Sequence, residues 1–211
     1  MNDYYFIVAD RITGIITFIT FILCFINVYI FKKLNKHDKA LSLYIIFCFL
    51  FDFLNYILVQ FKLPNIGLLP LFNLTEVVLL LYFFIVKGMS KRMSKITVII
   101  ALSVNLFDFS GYLFIDNYIL NKGRVFNSLL FITIILYVLA TKINSLNDLK
   151  LFYFMLIYFT ISFIQFLLLE FFIFIPDDSI FITWILYAVV GGMFYIKTTH
   201  FLWKNMRILN I

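Results

Sequence analysis

Charge is scarce in this chain. Asp, Glu, Lys and Arg make up 13% of its 211 residues, about half the share of a soluble domain, so a water-facing surface cannot be built from them. Histidine is nearly missing. His37 and His200 are the two copies, too few for the several intramembrane histidines of a seven-helix zinc hydrolase. The two cysteines, Cys24 and Cys48, stand inside apolar runs without CxxC or metal-ligand spacing, which excludes a disulfide framework and points to inert packing. The seven glycines form no phosphate-cradling loop. No serine has a histidine at matching depth, which removes Ser/His nucleophilic catalysis. Neither Asp52 nor Asp108 has the GxGD setting of an intramembrane aspartyl dyad. The expectation is a chain without metal, cofactor or catalytic residue, and not an enzyme.

What fills the sequence instead is apolar. Hydrophobic residues reach 64%, phenylalanine alone contributes 29, and mean hydropathy is +1.04, the composition of a membrane protein. A helix needs about 20 apolar residues to cross the hydrocarbon layer, and seven segments supply them: 12–31, 40–61, 67–86, 96–115, 125–141, 149–175 and 179–203. Continuous apolar runs, rather than alternation, favour helices over barrel strands. The opening MNDYYFIVADR lacks the basic n-region of a signal peptide, and no small-residue cleavage site follows, so the first run is expected to remain as a span. The fold class is therefore all-α: one polytopic domain over residues 1–211 with seven transmembrane helices. The short connections leave no room for a soluble catalytic or kinase domain.

Orientation follows from the basic residues. One side carries most of them, including Lys32, Lys33, Lys36, Lys39, Lys87, Lys91, Arg92 and Lys95, against Arg11, Lys62, Lys122 and Arg124 on the other. The crowded side reads as cytoplasmic, with the N-terminus out, the C-terminus in and the Asp177–Asp178 turn outside. Lys32, Lys33, Lys36, Lys91 and Arg92 are then candidates for contact with lipid headgroups or a cytoplasmic partner. Nucleic acid is not expected, because topology already accounts for the charge. Tyr56, Tyr112, Tyr118 and Trp184 near the outer boundary, and Tyr44, Tyr153 and Trp203 near the inner one, read as aromatic belts.

A repeat crosses this plan. Residues 50–56 read LFDFLNY and 106–112 read LFDFSGY, and each copy is followed by Phe-Asn (Phe72, Asn73; Phe126, Asn127) and Leu-Tyr (Leu81, Tyr82; Leu136, Tyr137). A fainter third copy runs from Glu170 to Tyr187. The chain thus reads as one leading helix plus three hairpins, at 40–86, 96–141 and 149–203. At ~1.5 Å per residue, Asp52, Glu76 and Asp108 fall in one layer near the midplane, with Glu170 closer to the outer surface. Asp52 with Asn55, Asn73 with Glu76, and Asn105 with Asp108 are i,i+3 pairs, so amide and carboxylate share a face. Asn127 and Gln165 join them from the fifth and sixth spans. With no basic residue expected inside the membrane to neutralise them, these groups should face a shared polar pocket, holding protons, a cation or a positively charged ligand. On the seventh span, Thr183, Tyr187 and Tyr195 lie on a stripe that could line a pathway inward, or serve packing.

The second and third spans, through Asp52, Asn73, Glu76 and Tyr82, resemble small seven-helix inner-membrane proteins of flavobacteria-like bacteria. That resemblance implies a membrane sensor unit, since some proteins of this kind serve signalling kinases. The expected function is an inner-membrane sensor or accessory protein with an outward-facing polar pocket, acting through a cytoplasmic or membrane partner. The alternatives are a proton- or cation-coupled small transporter or channel, and a membrane effector or regulator of a bacterial defence system. Expected partners are the lipid bilayer, a cytoplasmic protein, a second copy of the chain, and a small ligand or cation.

Overall fold

The computed structural model describes residues 3–61, 67–87, 89–115, 118–119, 121–142, 149–174 and 179–208. Within them the chain forms seven helices: α1 (Asp3–Phe31), α2 (Lys36–Gln60), α3 (Leu68–Lys87), α4 (Lys91–Phe114), α5 (Lys122–Lys142), α6 (Leu149–Phe174) and α7 (Ser179–Ile208). All seven are long and apolar enough to span a membrane. Most begin earlier than their apolar windows. α2 starts at Lys36, α4 at Lys91 and α5 at Lys122, because a basic residue at a span end extends the helix while its head group reaches for the interface.

Local chemistry sets several helix ends. Pro70 lies in the first turn of α3, where its missing N–H costs no intrahelical bond. Ser90 caps α4 by accepting a hydrogen bond from Met93 N at 3.2 Å, satisfying one of the donors a helix start leaves open. At the other end of α4, Ile115 N donates to Gly111 O at 2.9 Å. Gly111 is needed for a close approach: a Cβ there would come within 2.6 Å of the Tyr118 ring.

Each helix packs on its sequence neighbours, and α1 closes the ring on α7. Direct contacts of α2 with α7 and of α3 with α5 place α1 and α4 in outer grooves around an inner ring of α2, α3, α5, α6 and α7. The most extensive junctions, α5 with α6 and α1 with α7, lie outside the hairpin units read from the sequence.

The distribution of polarity is the reverse of a water-soluble protein. Phe18, Phe25, Ile99, Phe107 and Phe114 are exposed at 62%, 61%, 64%, 69% and 84%, while Asn27, Glu76, Asn105, Asp108, Arg124 and Asn127 are buried. Such a surface is stable against acyl chains, and polar side chains turned inward then join helices to one another. The chain is a multi-pass membrane protein on this ground. Half of the interior, toward the α1–α2, α3–α4 and α5–α6 connections, is filled by fully buried Phe83, Phe84, Phe131, Phe152 and Leu202. The ring pairs Phe84–Phe131 and Phe83–Phe152 stack there at 6.1 and 6.3 Å. The other half holds Glu76, Asn105, Asp108, Arg124 and Asn127 and a cavity.

Candidate functional site

The polar interior is organised by the start of α5. Asn121 O accepts from Val125 N at 3.0 Å in the first turn, and the Gly123 amide points at the Asp108 carboxylate, 2.7 Å away. An acid at a helix N-terminus answers both an open N–H and the positive end of the dipole. Gly123 permits the approach, since a Cβ would meet Asn105 Oδ1 at 2.7 Å and Asp108 Oδ2 at 3.0 Å. Tyr118, in the α4–α5 connection, donates its hydroxyl to the other Asp108 oxygen at 2.9 Å. Burial, helped by the bond to Asp108, pushes the Tyr118 phenol above its ordinary pKa. Lys122 Nζ lies 4.4 Å from the Tyr118 ring centroid, a cation–π contact at the same end of the bundle.

One residue further along, Arg124 turns inward. Its side chain is fully buried and ion-paired to the equally buried Glu76 of α3. The guanidinium Nε donates to Ser162 at 3.0 Å, and Nη2 donates to the hydroxyls of Tyr158 at 2.8 Å and Tyr187 at 3.2 Å. The second Glu76 oxygen accepts from Tyr44 of α2 at 2.9 Å. Five helices, α2, α3, α5, α6 and α7, are thereby tied to one ion pair. Aromatic rings complete its surroundings, with the guanidinium 5.2 Å from the centroid of Phe72 and 5.7 Å from that of Phe166. A guanidinium deep in a membrane protein survives only with such partners.

This corrects two expectations. Arg124 is not a loop cation, and Glu76 does not lack an internal counter-charge. The apolar window from residue 125 stopped one position short of the arginine, whose side chain runs into the bundle rather than out to the interface. Nor do the acids share one chamber. Asp108 is held by a backbone amide and a phenol, Glu76 by Arg124 and Tyr44, and the repeated LFDF motif thus puts its aspartate to two different uses. Asn105 and Asn127 bond to each other, Nδ2 to Oδ1 at 2.9 Å, and Asn127 reaches the Asn73 backbone oxygen at 3.3 Å. Gln165 is buried with no hydrogen-bond partner for its amide among the described residues. Asn73, Glu76, Asn105, Asp108, Asn127 and Gln165 lie behind the cavity rather than on its wall.

The cavity itself measures about 1050 Å³. Of the residues singled out from sequence, Asp52, Asn55, Tyr187 and Tyr195 line it, together with Arg124. Thr183 lies on α7 and not on the wall. Asp10, Thr13 and Thr17 of α1, Leu68 of α3 and Phe181 of α7 also line the cavity, placing it at the end of the bundle that holds the α1 N-terminus. Asp52 has the Thr20 hydroxyl within hydrogen-bonding reach and makes no ion pair among the described residues. Lys32, Lys33, Lys36, Lys91 and Arg92 are exposed at the opposite end. The Glu170 side chain and the Asp177–Asp178 turn lie outside the described residues.

Tyr44, Tyr158 and Ser162 joined the site without having been assigned to it from sequence. The signal was present as spacing: Arg124, Asn127 and Ser128 share one face of α5 by i,i+3 and i,i+4, and Tyr158, Ser162 and Gln165 share one face of α6. Two polar stripes on adjacent apolar helices are a better guide to a buried ion pair than a count of acids. Comparison with protein-family models, with curated proteins and with solved structures finds no match for the chain.

Proposed function

We propose that this chain is a sensor or accessory protein of a bacterial inner membrane, which binds a small ligand in its cavity and acts through a separate partner. The observation that carries the proposal is a cavity that reaches only part of the way through the bundle. Beneath it stand Tyr158 and Tyr195, and then the close-packed Phe83, Phe84, Phe131 and Phe152. A carrier needs access from both sides of its site; a receptor needs one. In this reading the N-terminus and the cavity mouth face outward, because the basic residues Lys32, Lys33, Lys36, Lys91 and Arg92 gather at the other end. The same residues form the surface that a cytoplasmic partner would meet. The hairpin repeat supplies the scaffold: its second and fourth helices carry Asp52 to the cavity and Asp108 to the α5 cap. The ion pair links α2, α3, α5, α6 and α7, so a ligand that shifts Tyr187 acts on every helix of the inner ring.

The carrier alternative keeps one observation in its favour, the carboxylate of Asp52 on the cavity wall. Purified protein in sealed vesicles separates the two. The sensor reading expects no proton, sodium or potassium flux from the chain alone, and a membrane or cytoplasmic partner in native membranes that dissociates when Lys32, Lys33 and Lys36 are changed to Glu. Flux through the isolated chain, abolished by Asp52→Asn, would replace the sensor with a carrier.

A further inference from the structure

Resting on the ligand-binding reading above, we infer that the cavity is a site for a monovalent organic cation, an amine or quaternary onium group on an apolar body, with Asp52 as its counter-ion. Size is the first reason. About 1050 Å³ is the scale of a drug-sized ligand site and far exceeds what a proton or bare metal ion occupies. The walls are the second. Phe51, Phe72, Phe166, Trp184, Tyr187 and Tyr195 bring aromatic rings to the cavity from four helices, and ring faces attract cations through their quadrupoles. Trp184 and Phe166 already meet edge to face at 5.9 Å, and Trp184 and Tyr187 likewise at 5.9 Å, so part of this wall is assembled in advance.

Charge decides the sign. Among the described residues, three charged ones line the cavity, Asp10, Asp52 and Arg124. Arg124 is already committed: its donors go to Glu76, Ser162, Tyr158 and Tyr187, and an anion would have to compete with a buried carboxylate for it. Asp52 makes no ion pair among the described residues, and Asp10 adds a second acid on the wall. A carboxylate among aromatic and aliphatic groups in a membrane is costly until a cation joins it. The ligand supplies what Asp52 lacks, while apolar residues such as Ile16, Leu69 and Ile185 receive its body.

The probe is tetraphenylphosphonium, with tetraphenylborate as an anion of matching size and shape. Binding to the purified full-length chain is measured by equilibrium dialysis against protein-free micelles. It is measured again by Trp184 emission in a Trp203→Phe background, where Trp184 is the sole tryptophan because the chain has two. The expected result is saturable one-to-one binding of the phosphonium and none of the borate. Asp52→Asn should weaken binding at least tenfold, Asp52→Glu should restore most of it, and Ala188→Phe, which puts a ring into the ligand space beside Tyr187, should weaken it. Thermal melts and monodispersity of each variant separate lost binding from lost fold. Phosphonium binding unaffected by Asp52→Asn overturns the inference, as does saturable binding of neither ion. Preferential binding of the borate overturns the cation while leaving a ligand-binding cavity in place. The sensor reading fails separately, through flux or through a partner indifferent to the lysines.

Discussion

Replacing Arg124 or Glu76 alone should harm the protein more than replacing both. Glu76→Met leaves a fully buried guanidinium without its carboxylate, and Arg124→Met leaves a buried carboxylate with only Tyr44 to donate to it. Removing one partner of a buried pair costs about 3 to 5 kcal/mol, whereas exchanging both for apolar residues is often neutral. The remaining groups show why the double change is tolerable here. Without Arg124, the Tyr158 and Tyr187 hydroxyls, 3.5 Å apart, can bond to each other, and Ser162 keeps Ser128 at 3.0 Å. The Tyr44 hydroxyl loses its carboxylate and keeps only the weak Cys48 thiol within reach, at a cost of at most about 1 to 3 kcal/mol. At about 2 to 4 °C per kcal/mol for a chain of this size, each single variant should melt roughly 6 to 20 °C below the parent, and the double variant well above either. The assay is thermal unfolding of purified protein in one detergent, followed by loss of the monodisperse species, with all four proteins of the cycle measured together. Losses that simply add would show that Arg124 and Glu76 contribute independently, and the ion pair would lose its place as the organiser of the site.

Three further outcomes test the surroundings. The Tyr118 pKa is raised in the folded protein, so the folded state holds the phenolic proton more tightly than the unfolded chain does. Its contribution is complete below about pH 10, the usual tyrosine value, and is lost as pH rises through the folded pKa; a plot of melting temperature against pH should fall less steeply there in Tyr118→Phe, and parallel curves would refute the link. Gly123→Ala should destabilise by about 1 to 3 kcal/mol, because the added methyl collides with Asn105 and Asp108; an unchanged melt would mean that the α4–α5 contact is looser than drawn. Gln165→Met should be neutral or stabilising, since a buried amide without partners among the described residues gives up about 1 to 3 kcal/mol of desolvation cost when it is removed, and a marked drop in melting temperature would show that the amide has a bonded role.

The number and type of helices were legible because apolar length alone encodes them, as in Leu149–Phe174, where span and helix nearly coincide. Side-chain pairing was not. Depth along a helix can be counted from sequence, so Asp52, Glu76 and Asp108 could be assigned to one layer, but depth says nothing about azimuth. Asp52 turns to the cavity, Glu76 to the centre and Asp108 to the neighbouring α5, and which of these happens depends on how seven helices are rotated. Nor could sequence foresee that α1 and α4 sit outside the inner ring, an arrangement that gives α4 two neighbours and leaves Phe107 and Leu106 to the lipid. Where an amide shares a face with an acid, as Asn105 does with Asp108, local spacing did carry over into the structure, and both side chains lie against Gly123.

Moving Arg124 from loop to core changes the two sequence arguments in opposite directions. The orientation argument gains, because a cation sealed against Glu76 no longer counts among the charges an outer loop must place across the membrane, and the contrast between the two ends widens. The acidic-layer argument loses, because one carboxylate now has its counter-charge and a second is a helix cap. What remains is Asp52, with Asp10 beside it on the wall of an aromatic cavity, and that is a narrower and more discriminating feature than a polar layer. A shared layer of protonatable groups suits proton or cation passage, whereas a carboxylate beside apolar and aromatic surface suits the capture of an amphipathic cation. The ion pair keeps the two regimes apart, since it neutralises the only guanidinium that borders the cavity among the described residues and so leaves the field inside it to Asp52 and Asp10.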